Sequence, residues 1–160
     1  MAPISVSTPV DATRARVFDV LCDLAARPAW TDHFAEDFRL VREQPAGVGA
    51  SARFRANAPG IRYMDTTIVE ADRPHLVVEE GHGGRSNRVT LRAAWELTEG
   101  PGAVTTVTLT FGRESGRLRG GRWWRRRWSR ALRRLAELVE SGDAERETVV
   151  VAGADRLPAA

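Results

Sequence analysis

Tyr63 and Asp65 are the residues whose types and spacing best suit chemistry on a small organic molecule. They are two positions apart in a segment with strand-like alternation, so both side chains would lie on one face. If that face lined an apolar pocket, Asp65 would have a raised pKa suited to general acid or base catalysis, and Tyr63 would donate to a developing enolate. Arg53 or Arg55 would be an oxyanion partner only if the strand faces were reversed. The favoured interpretation is simpler: an exposed strand face with an ordinary hydrogen-bonded pair.

The histidines and the single cysteine do not predict a metal site. His33, His75 and His82 are far apart and show no His-x-x-x-His or Cys/His spacing. Cys22 alone offers one thiolate and no disulfide, and we expect it to be a buried, inert thiol. We therefore expect no metal and no cofactor. His33, which lies close to two aromatic residues, is the histidine expected near a ligand.

The composition fits one folded domain of ordinary size. The chain has 160 residues, of which 42% are apolar, enough for one substantial core but not for two. No segment approaches the ~20 continuous apolar residues of a membrane-spanning helix, and the N-terminal segment lacks the basic-then-apolar profile of a secretory signal. We therefore expect a cytoplasmic protein whose stability comes from packing.

The basic residues are unevenly distributed. All 24 are arginines, which explains a calculated pI of 10.2 at a formal net charge of only +3. The segment 113–134 holds ten arginines and one acid, Glu114, a net charge of +9, so the remaining chain has a net charge of −6. A basic face beside an acidic body predicts either that the face binds an external polyanion or that it forms ion pairs with the protein's own carboxylates. We favour the second.

The N-terminal part predicts one strand and two short helices. Alternation over residues 4–8 is typical of a half-buried strand, which Pro9 would end. Asp11 or Thr13 would cap the first helix, where apolar residues recur at helical spacing. Residues 29–34 predict a second short helix, so the elements that follow begin near residue 38.

From residue 38 onward the apolar residues alternate, and turns containing Gly or Pro recur at short intervals. Six strands are predicted, over residues 38–43, 50–57, 61–71, 75–80, 87–98 and 104–113. Short connections favour antiparallel neighbours, because parallel pairing needs a crossover of about a dozen residues. Gly81–Gly84 is interpreted as a hairpin turn. With the N-terminal strand, this pattern predicts a seven-stranded antiparallel sheet with one apolar face.

The last predicted element is a helix from about Leu118 to Glu140, the only one long enough to cover that face. Its apolar residues share one side: Trp124, Trp128, Leu132, Leu135, Leu138 and Val139. Most of its arginines, together with Trp123, are expected on other sides. The domain is therefore predicted to span 1–142, with 143–160 as a loose tail or an added edge strand built on the β-prone run 148–151.

The run Arg122-Trp-Trp-Arg-Arg-Arg-Trp128 is the most unusual sequence in the chain. Interleaved Arg and Trp can bind single-stranded nucleic acid by stacking, or an anionic membrane surface. Helical geometry leaves only Trp123 on the basic side, which disfavours nucleic acid. Intramolecular packing and salt bridging is the favoured interpretation, and peripheral contact with an anionic membrane or a ligand headgroup is the main alternative.

Five local sequences follow one another in a recognisable order over residues 3 to about 141. They are Pro9-Val-Asp-Ala-Thr-Arg-Ala-Arg-Val-Phe-Asp-Val-Leu, Leu24-Ala-Ala-Arg-Pro-Ala-Trp30, Val48-Gly49 at a strand start, Ile68-Val-Glu-Ala-Asp-Arg-Pro-His-Leu76, and Trp95-Glu-Leu before a Gly turn and a strand. In this order they resemble the polyketide cyclase/dehydrase branch of the START-related SRPBCC superfamily.

The resemblance implies a helix-grip fold of the α+β class. In this fold a curved antiparallel sheet wraps around a long C-terminal helix, and two short helices follow the first strand. The resemblance also implies a cavity between sheet and helix that holds lipids, sterols, polyketides or other hydrophobic molecules. It implies no fixed catalytic set, since members range from carriers to cyclases.

We therefore expect the chain to bind a small hydrophobic molecule in an internal cavity, as a monomer or homodimer. The residues expected to contact the ligand are Trp30, His33, Phe34, Phe54, Tyr63, Trp95, Phe111, Trp124, Trp128 and Leu132. Two alternatives stay open. One is a polyketide-type cyclase or dehydrase that uses Tyr63 and Asp65. The other is a module that binds an anionic membrane surface or a protein partner through its Arg-rich helix face.

Overall fold

A computed structural model describes residues 2–142 of the chain, and the predicted tail with its β-prone run lies outside them. Within this range, seven strands and three α-helices follow one another. They are β1 (Ile4–Val10), α1 (Arg14–Leu21), α2 (Pro28–Thr31), β2 (Glu36–Leu40), β3 (Ser51–Ala58), β4 (Ile61–Asp72), β5 (Leu76–Gly83), β6 (Val89–Glu99), β7 (Thr105–Arg113) and α3 (Gly121–Ser141). The predicted number and order of elements are confirmed for the described residues.

The strands form a single sheet in the order β1-β7-β6-β5-β4-β3-β2, and every neighbouring pair is antiparallel. Strands that follow one another along the chain therefore lie side by side from β2 to β7, as short connections require. β1 closes against β7, and α3 packs on the inner face close to β1 and α2. The predicted helix-grip arrangement is confirmed.

Alternation along the strands decides which side chains reach the core. In β3, for example, Ala52, Phe54 and Ala56 are buried whereas Arg53 is exposed. The apolar side of α3 covers this face with a buried stripe: Trp124, Trp128, Ala131, Leu132, Leu135, Ala136 and Val139. The predicted inward orientation of Trp124 and Trp128 is confirmed.

Several element boundaries differ from the prediction by a few residues, among them the end of β1 and the start of α3. Pro9 lies inside β1, opposite Thr106, instead of ending the strand. β1 is an edge strand, where a residue without an N–H is tolerated on the open side. The last helix begins at Gly121, because Gly120 before it has a left-handed backbone with a φ of 71°. Thr13 caps α1 by accepting from the Arg16 N–H. None of the described helices is long and apolar enough to cross a bilayer.

Candidate functional site

Seven aromatic rings form one connected cluster between the inner face of the sheet and α3. This aromatic layer comprises Trp30, Phe34, Trp95, Phe111, Trp123, Trp124 and Trp128. The ring centroids of Trp95 and Trp128 are 5.5 Å apart, and those of Phe111 and Trp124 are 4.6 Å apart. Contacts of this kind contribute ~0.5–1.5 kcal/mol each beyond the burial of their area. The layer therefore joins helix and sheet directly.

Four different elements position these rings. β6 and β7 carry Trp95 and Phe111 on their inner faces, where their neighbours Val77 and Leu109 are also buried. On α3, Trp124 and Trp128 are one turn apart, so both face the sheet. Trp30 comes from α2 and Phe34 from the turn after it. The layer is thus assembled from distant parts of the chain.

The layer fills the space beneath the N-terminal half of α3. Trp30, Trp95 and Trp124 are fully buried and Trp128 is 4% exposed. Because the rings of sheet and helix touch, the expectation of an open void beneath Trp124 and Trp128 is not met at these positions. Trp123, expected on the basic side, contacts Arg127 there but is also half-buried against Phe34 and Trp124, so the prediction is met only in part.

A buried ion pair adjoins the layer. Arg27, just before α2, and Glu79, on the inner face of β5, are 3% and 2% exposed. The Nη2 atom of Arg27 lies 2.6 Å from Oε1 of Glu79, and its Nη1 atom lies 3.4 Å from Oε2. A charge removed from water is stable only when paired and hydrogen-bonded. The two residues therefore depend on each other.

Neighbouring groups complete the bonding of this ion pair. The Trp95 Nε1–H donates to Oε2 of Glu79 at 2.9 Å, and Nη2 of Arg27 donates to the Leu21 carbonyl at 3.1 Å. The Arg27 guanidinium also lies over the Trp30 ring, 4.8 Å from its centroid, an attractive arrangement for a cation. The ion pair is therefore part of the same structure as the aromatic layer.

Cys22 lies beside this ion pair and is buried. Burial, and then the negative charge of Glu79, raise the pKa of its thiol to about 11. A thiol with such a pKa is largely un-ionised at neutral pH and a poor nucleophile. The structure therefore assigns Cys22 no chemistry in this site.

Four side-chain donors in this region are buried and have no acceptor among the described residues. Three are the indole Nε1–H groups of Trp30, Trp124 and Trp128, and the fourth is Nε–H of Arg27. In contrast, the corresponding N–H of Trp95 is bonded to Glu79. Buried polar groups in folded proteins are nearly always paired, so these donors distinguish the layer from an ordinary apolar core.

His33 lies at the edge of the layer and ties the turn after α2 to α3. Its Nε2 atom lies 3.0 Å from the Arg127 carbonyl oxygen, and its Nδ1 atom lies 3.0 Å from Nη1 of Arg134. A carbonyl accepts and a guanidinium donates, so the ring is neutral, with its proton on Nε2. Burial lowers the pKa of His33, and the charge of Arg134 lowers it further, against the opposing bond to the carbonyl.

Arg134 makes a second connection to the same turn. It forms an ion pair with Asp32 and donates to the Ala29 carbonyl at 2.9 Å. The hydrogen bond from Arg134 lowers the pKa of Asp32. Together, Asp32, His33 and Arg134 hold α2 and its following turn against α3.

Tyr63 and Asp65 lie on the outer face of the sheet, which corrects their predicted place in the cavity. Tyr63 is 53% exposed, whereas Met64 between them is buried. Asp65 accepts from the His82 backbone N–H at 2.9 Å. Arg55 is the cross-strand partner of Tyr63, so the strand faces are not reversed. This part of the strand is the exposed face that the simpler interpretation described.

Two other predicted ligand residues are buried outside the aromatic layer. Leu132 is buried one turn after Trp128 on the same side of α3. Phe54 is buried but stacks on Phe38 at 5.7 Å near the β2 edge, away from the layer. Phe54 and Tyr63 both line a surface groove of about 480 Å³, together with Arg53 and Arg55.

Sequence reasoning missed the ion pair beside the layer. Arg27 precedes a proline, a position typical of a solvated turn, and Glu79 follows the apolar pair Val77-Val78. Glu79 shares the strand face of Val77, which is opposite Trp95 in the sheet. The alternation of side chains along β5 could have predicted that Glu79 points inward. It does so only when the face of β5 that packs against the core is already known.

Among the residues that the structure describes, most of the Arg-rich segment does not pair with carboxylates, contrary to the favoured prediction. Within the described residues, Arg134 is the member of segment 113–134 that forms such an ion pair. Arg125 donates to the Ser5 carbonyl at 2.9 Å, and Arg127 lies over the Trp123 ring. The segment is therefore held mainly by packing, with little internal neutralisation of its charge.

Residues 1–140 match the family described as "Polyketide cyclase / dehydrase and lipid transport". This match covers nearly all of the chain that the structure describes, and it agrees with the resemblance seen in the sequence. No protein of curated function matches the chain.

Several solved structures share the fold. The solution structure of KanY has a TM-score of 0.72 and 19% identity, over 86% of this chain and 97% of that one. CV1439 from Chromobacterium violaceum has a TM-score of 0.67 and 17% identity, over 88% and 99%. DynU16, from the dynemicin biosynthetic locus, has a TM-score of 0.64 and 19% identity over 89% of this chain, which spans 48% of DynU16. At these identities the likeness shows the fold alone.

Proposed function

Because the chain belongs to the polyketide cyclase/dehydrase and lipid transport family, we propose that it binds a small hydrophobic molecule between the inner face of the sheet and α3. The observation that carries the proposal is the aromatic layer, with its buried donors and one adjoining ion pair. Binding sites for small molecules are lined by hydrophobic and aromatic side chains among a few polar groups. The layer has this composition.

Entry of a guest requires at least one ring to move, because the rings are in contact. The movable part in this proposal is α2 with its following turn, which carry Trp30 and Phe34. α2 has only four residues, and short segments with few backbone hydrogen bonds open at a lower free-energy cost than a long helix or a central strand. Asp32 and His33, both bonded to Arg134, would then control this opening.

Extraction of the purified protein with organic solvent, followed by mass spectrometry, tests for a bound lipid or polyketide. Titration with the apolar dye Nile red tests the site directly. Phe34→Ala removes a ring from the mobile side and should raise the dye affinity. Leu40→Ala removes an apolar side chain that is 39% exposed on β2, and should leave it unchanged. A protein without extractable ligand, whose dye affinity is the same in both variants, would contradict the proposal.

We propose binding in preference to catalysis because the pair predicted for catalysis faces outward. Asp65 is bonded to His82, and Tyr63 is exposed. Among the described residues, Arg27 and Glu79 are instead the charged groups buried beside the layer. Asp65→Asn should therefore change neither the affinity for an extracted ligand nor any conversion of it. Loss of conversion with retained affinity would restore the cyclase or dehydrase alternative.

A second candidate function is attachment to an anionic membrane surface. Arg122, Arg126, Arg130 and Arg133 are exposed at spacings of four, four and three residues, so they form one row on α3, ~17 Å long at 1.5 Å per residue. None of them forms an ion pair with a carboxylate in the described part of the chain. Like charges at this spacing oppose the helix by about 0.2–0.5 kcal/mol per pair, whereas anionic headgroups attract each arginine by about 1 kcal/mol.

Sedimentation with phosphatidylcholine vesicles, with and without phosphatidylglycerol, tests this candidate. Arg126→Glu with Arg130→Glu should abolish binding to the anionic vesicles, and high salt should do the same. The control is the double variant Arg39→Glu with Arg53→Glu. It changes the net charge by the same amount as the helix variant, but on the outer face of the sheet. An equal loss of vesicle binding in both double variants would show an effect of net charge alone, and would contradict a specific role of the arginine row. If the chain bound an oligonucleotide but not the vesicles, the partner of the arginine row would be a nucleic acid and not a membrane.

A further inference from the structure

The three unpaired indole N–H groups belong to the tryptophans that join α2 and α3 to the sheet. Trp30 and Trp124 are fully buried, and Trp128 is 4% exposed. None of their Nε1 atoms has an acceptor among the described residues. Trp95, in the same layer, does have one, because its Nε1–H donates to Glu79. Among the four buried tryptophans of the layer, one indole donor is thus used and three are unused.

Contacts between the rings do not supply hydrogen-bond acceptors for the unused donors. Trp30 meets Trp95 edge-to-face, with an interplanar angle of 83° and centroids 5.6 Å apart. Trp95 and Trp128 meet in the same manner, at 83° and 5.5 Å. A ring face is a weak acceptor for an N–H group compared with a carbonyl or hydroxyl oxygen. The donors would therefore bind a guest oxygen in preference to their present neighbours.

The donors are also distributed so that a single guest could meet several of them. Trp124 and Trp128 are four residues apart on α3, which separates them by ~6 Å along the helix axis. Trp30 and Trp128 both meet Trp95 edge-to-face, so these indoles lie around one shared ring. A molecule bound beside that ring would thus lie close to more than one of the three tryptophans.

We propose that Trp30, Trp124 and Trp128 determine ligand specificity by donating hydrogen bonds to oxygen atoms of the guest. The ligand class is then an apolar molecule that carries carbonyl or hydroxyl oxygens, and a plain hydrocarbon binds less tightly. This inference rests on the proposed function, because it names the chemistry of the molecule held in the layer. A site that only fills space would not need donors at these positions.

Substitution by Phe separates this role from a structural one. Trp→Phe removes the N–H and keeps an aromatic ring, so Trp124→Phe and Trp128→Phe should lower the melting temperature less than Trp95→Phe does. Trp95→Phe is the matched control, since it removes a donor that has an acceptor and leaves Oε2 of Glu79 with one bond fewer. An equal fall in melting temperature for all three variants would overturn the assignment of unused donors.

Affinity for two probes tests the ligand class. Anthracene and a dihydroxyanthraquinone have the same three fused rings, but only the second has oxygen atoms. By equilibrium dialysis, the wild-type chain should bind the quinone more tightly. Each Trp→Phe change at positions 30, 124 and 128 should weaken quinone binding about three- to tenfold, the range for one hydrogen bond, and leave anthracene binding nearly unchanged.

The outcomes of this test are distinct. Equal weakening for both probes would show that the indoles act only through their apolar area, and would overturn the inference while leaving hydrophobic binding intact. If neither probe bound to the wild-type chain, and Nile red did not bind either, the proposed function itself would be contradicted. Weakening confined to the quinone supports the inference.

Discussion

Arg27 and Glu79, 52 positions apart in the sequence, form an ion pair inside the protein in which the carboxylate receives two contacts from the guanidinium. The ion pair links the segment before α2 to β5, and Trp95 adds a hydrogen bond to the same carboxylate. Breaking a buried ion pair costs more than replacing it entirely, because the remaining partner keeps its charge without compensation.

Glu79→Gln should lower the free energy of unfolding by about 3–5 kcal/mol, since the Arg27 charge would stay buried and unpaired. Urea denaturation of the wild-type and variant proteins measures this loss. Replacing both partners, with Arg27→Met and Glu79→Leu, should destabilise the protein less than Glu79→Gln alone. The single variants Arg27→Met and Glu79→Leu are measured as well. If the double variant lost as much unfolding free energy as these two single variants together, the residues would not be coupled.

The connection made by His33 should make stability depend on pH. The pKa of His33 is lowered in the folded protein, so the unfolded chain binds the proton more readily. The stabilisation from the neutral ring is therefore fully present above the unfolded pKa of about 6.5 and is lost as the pH falls from there towards the folded pKa. Urea denaturation at a series of pH values between about 7 and 5 should show this decline.

His33→Gln is the control for that series. A glutamine amide can donate to the Arg127 carbonyl and accept from Arg134, as the neutral imidazole does, but it does not titrate. The variant should therefore lack the part of the decline that is due to His33. An identical pH dependence in the wild-type and variant proteins would assign the decline to other groups.

Cys22 should resist alkylation in the folded protein. With a pKa of about 11, only about one thiol in a thousand is ionised at a pH near 8, and the side chain is 6% exposed. Mass spectrometry after treatment with iodoacetamide should show little modification without denaturant and rapid modification in concentrated urea. Rapid reaction of the folded protein would mean that the region around α1 opens more often than its packing indicates.

Gly81→Ala should destabilise the protein by about 1–3 kcal/mol. A Cβ atom at this position would collide with the Asp65 carbonyl oxygen of the adjacent strand, which is not easily displaced. Gly100→Ala is the milder comparison, because the nearest atom to its added Cβ, the Val104 carbonyl oxygen, is 3.3 Å away and needs to shift by only a few tenths of an ångström. Thermal unfolding compares the two variants. Similar melting temperatures would show that β4 and β5 move apart at little cost.

The strength of the hydrophobic pattern decided how much of the fold could be predicted. The stripe on α3 and the alternation in β3 and β6 each repeat over several residues, so faces and elements followed from the sequence. Gly81–Gly84 was wrongly interpreted as a turn. Gly81 and Gly83 lie in β5, and Gly81 is required there because of the close approach of Asp65, a contact between strands that local sequence does not reveal.

The candidate site was harder to predict than the fold. Six of the seven rings in the aromatic layer were selected from the sequence, because large aromatic residues on inward faces are almost always buried. Tyr63 was misplaced because alternation has two phases, and the buried phase of β4 belongs to Met64 and Ile68. The Arg27–Glu79 ion pair depends on the register between β5 and β6 and on the path of the chain before α2. Neither is encoded in a local pattern.

All five tryptophans of the chain lie in the aromatic layer. Every photon that the protein emits through indole fluorescence therefore originates at the proposed binding site. Excitation passes between rings at these separations, so quenching of one ring by a guest would dim the others as well. The protein thus contains its own optical reporter, and occupancy of the layer can be followed without a label.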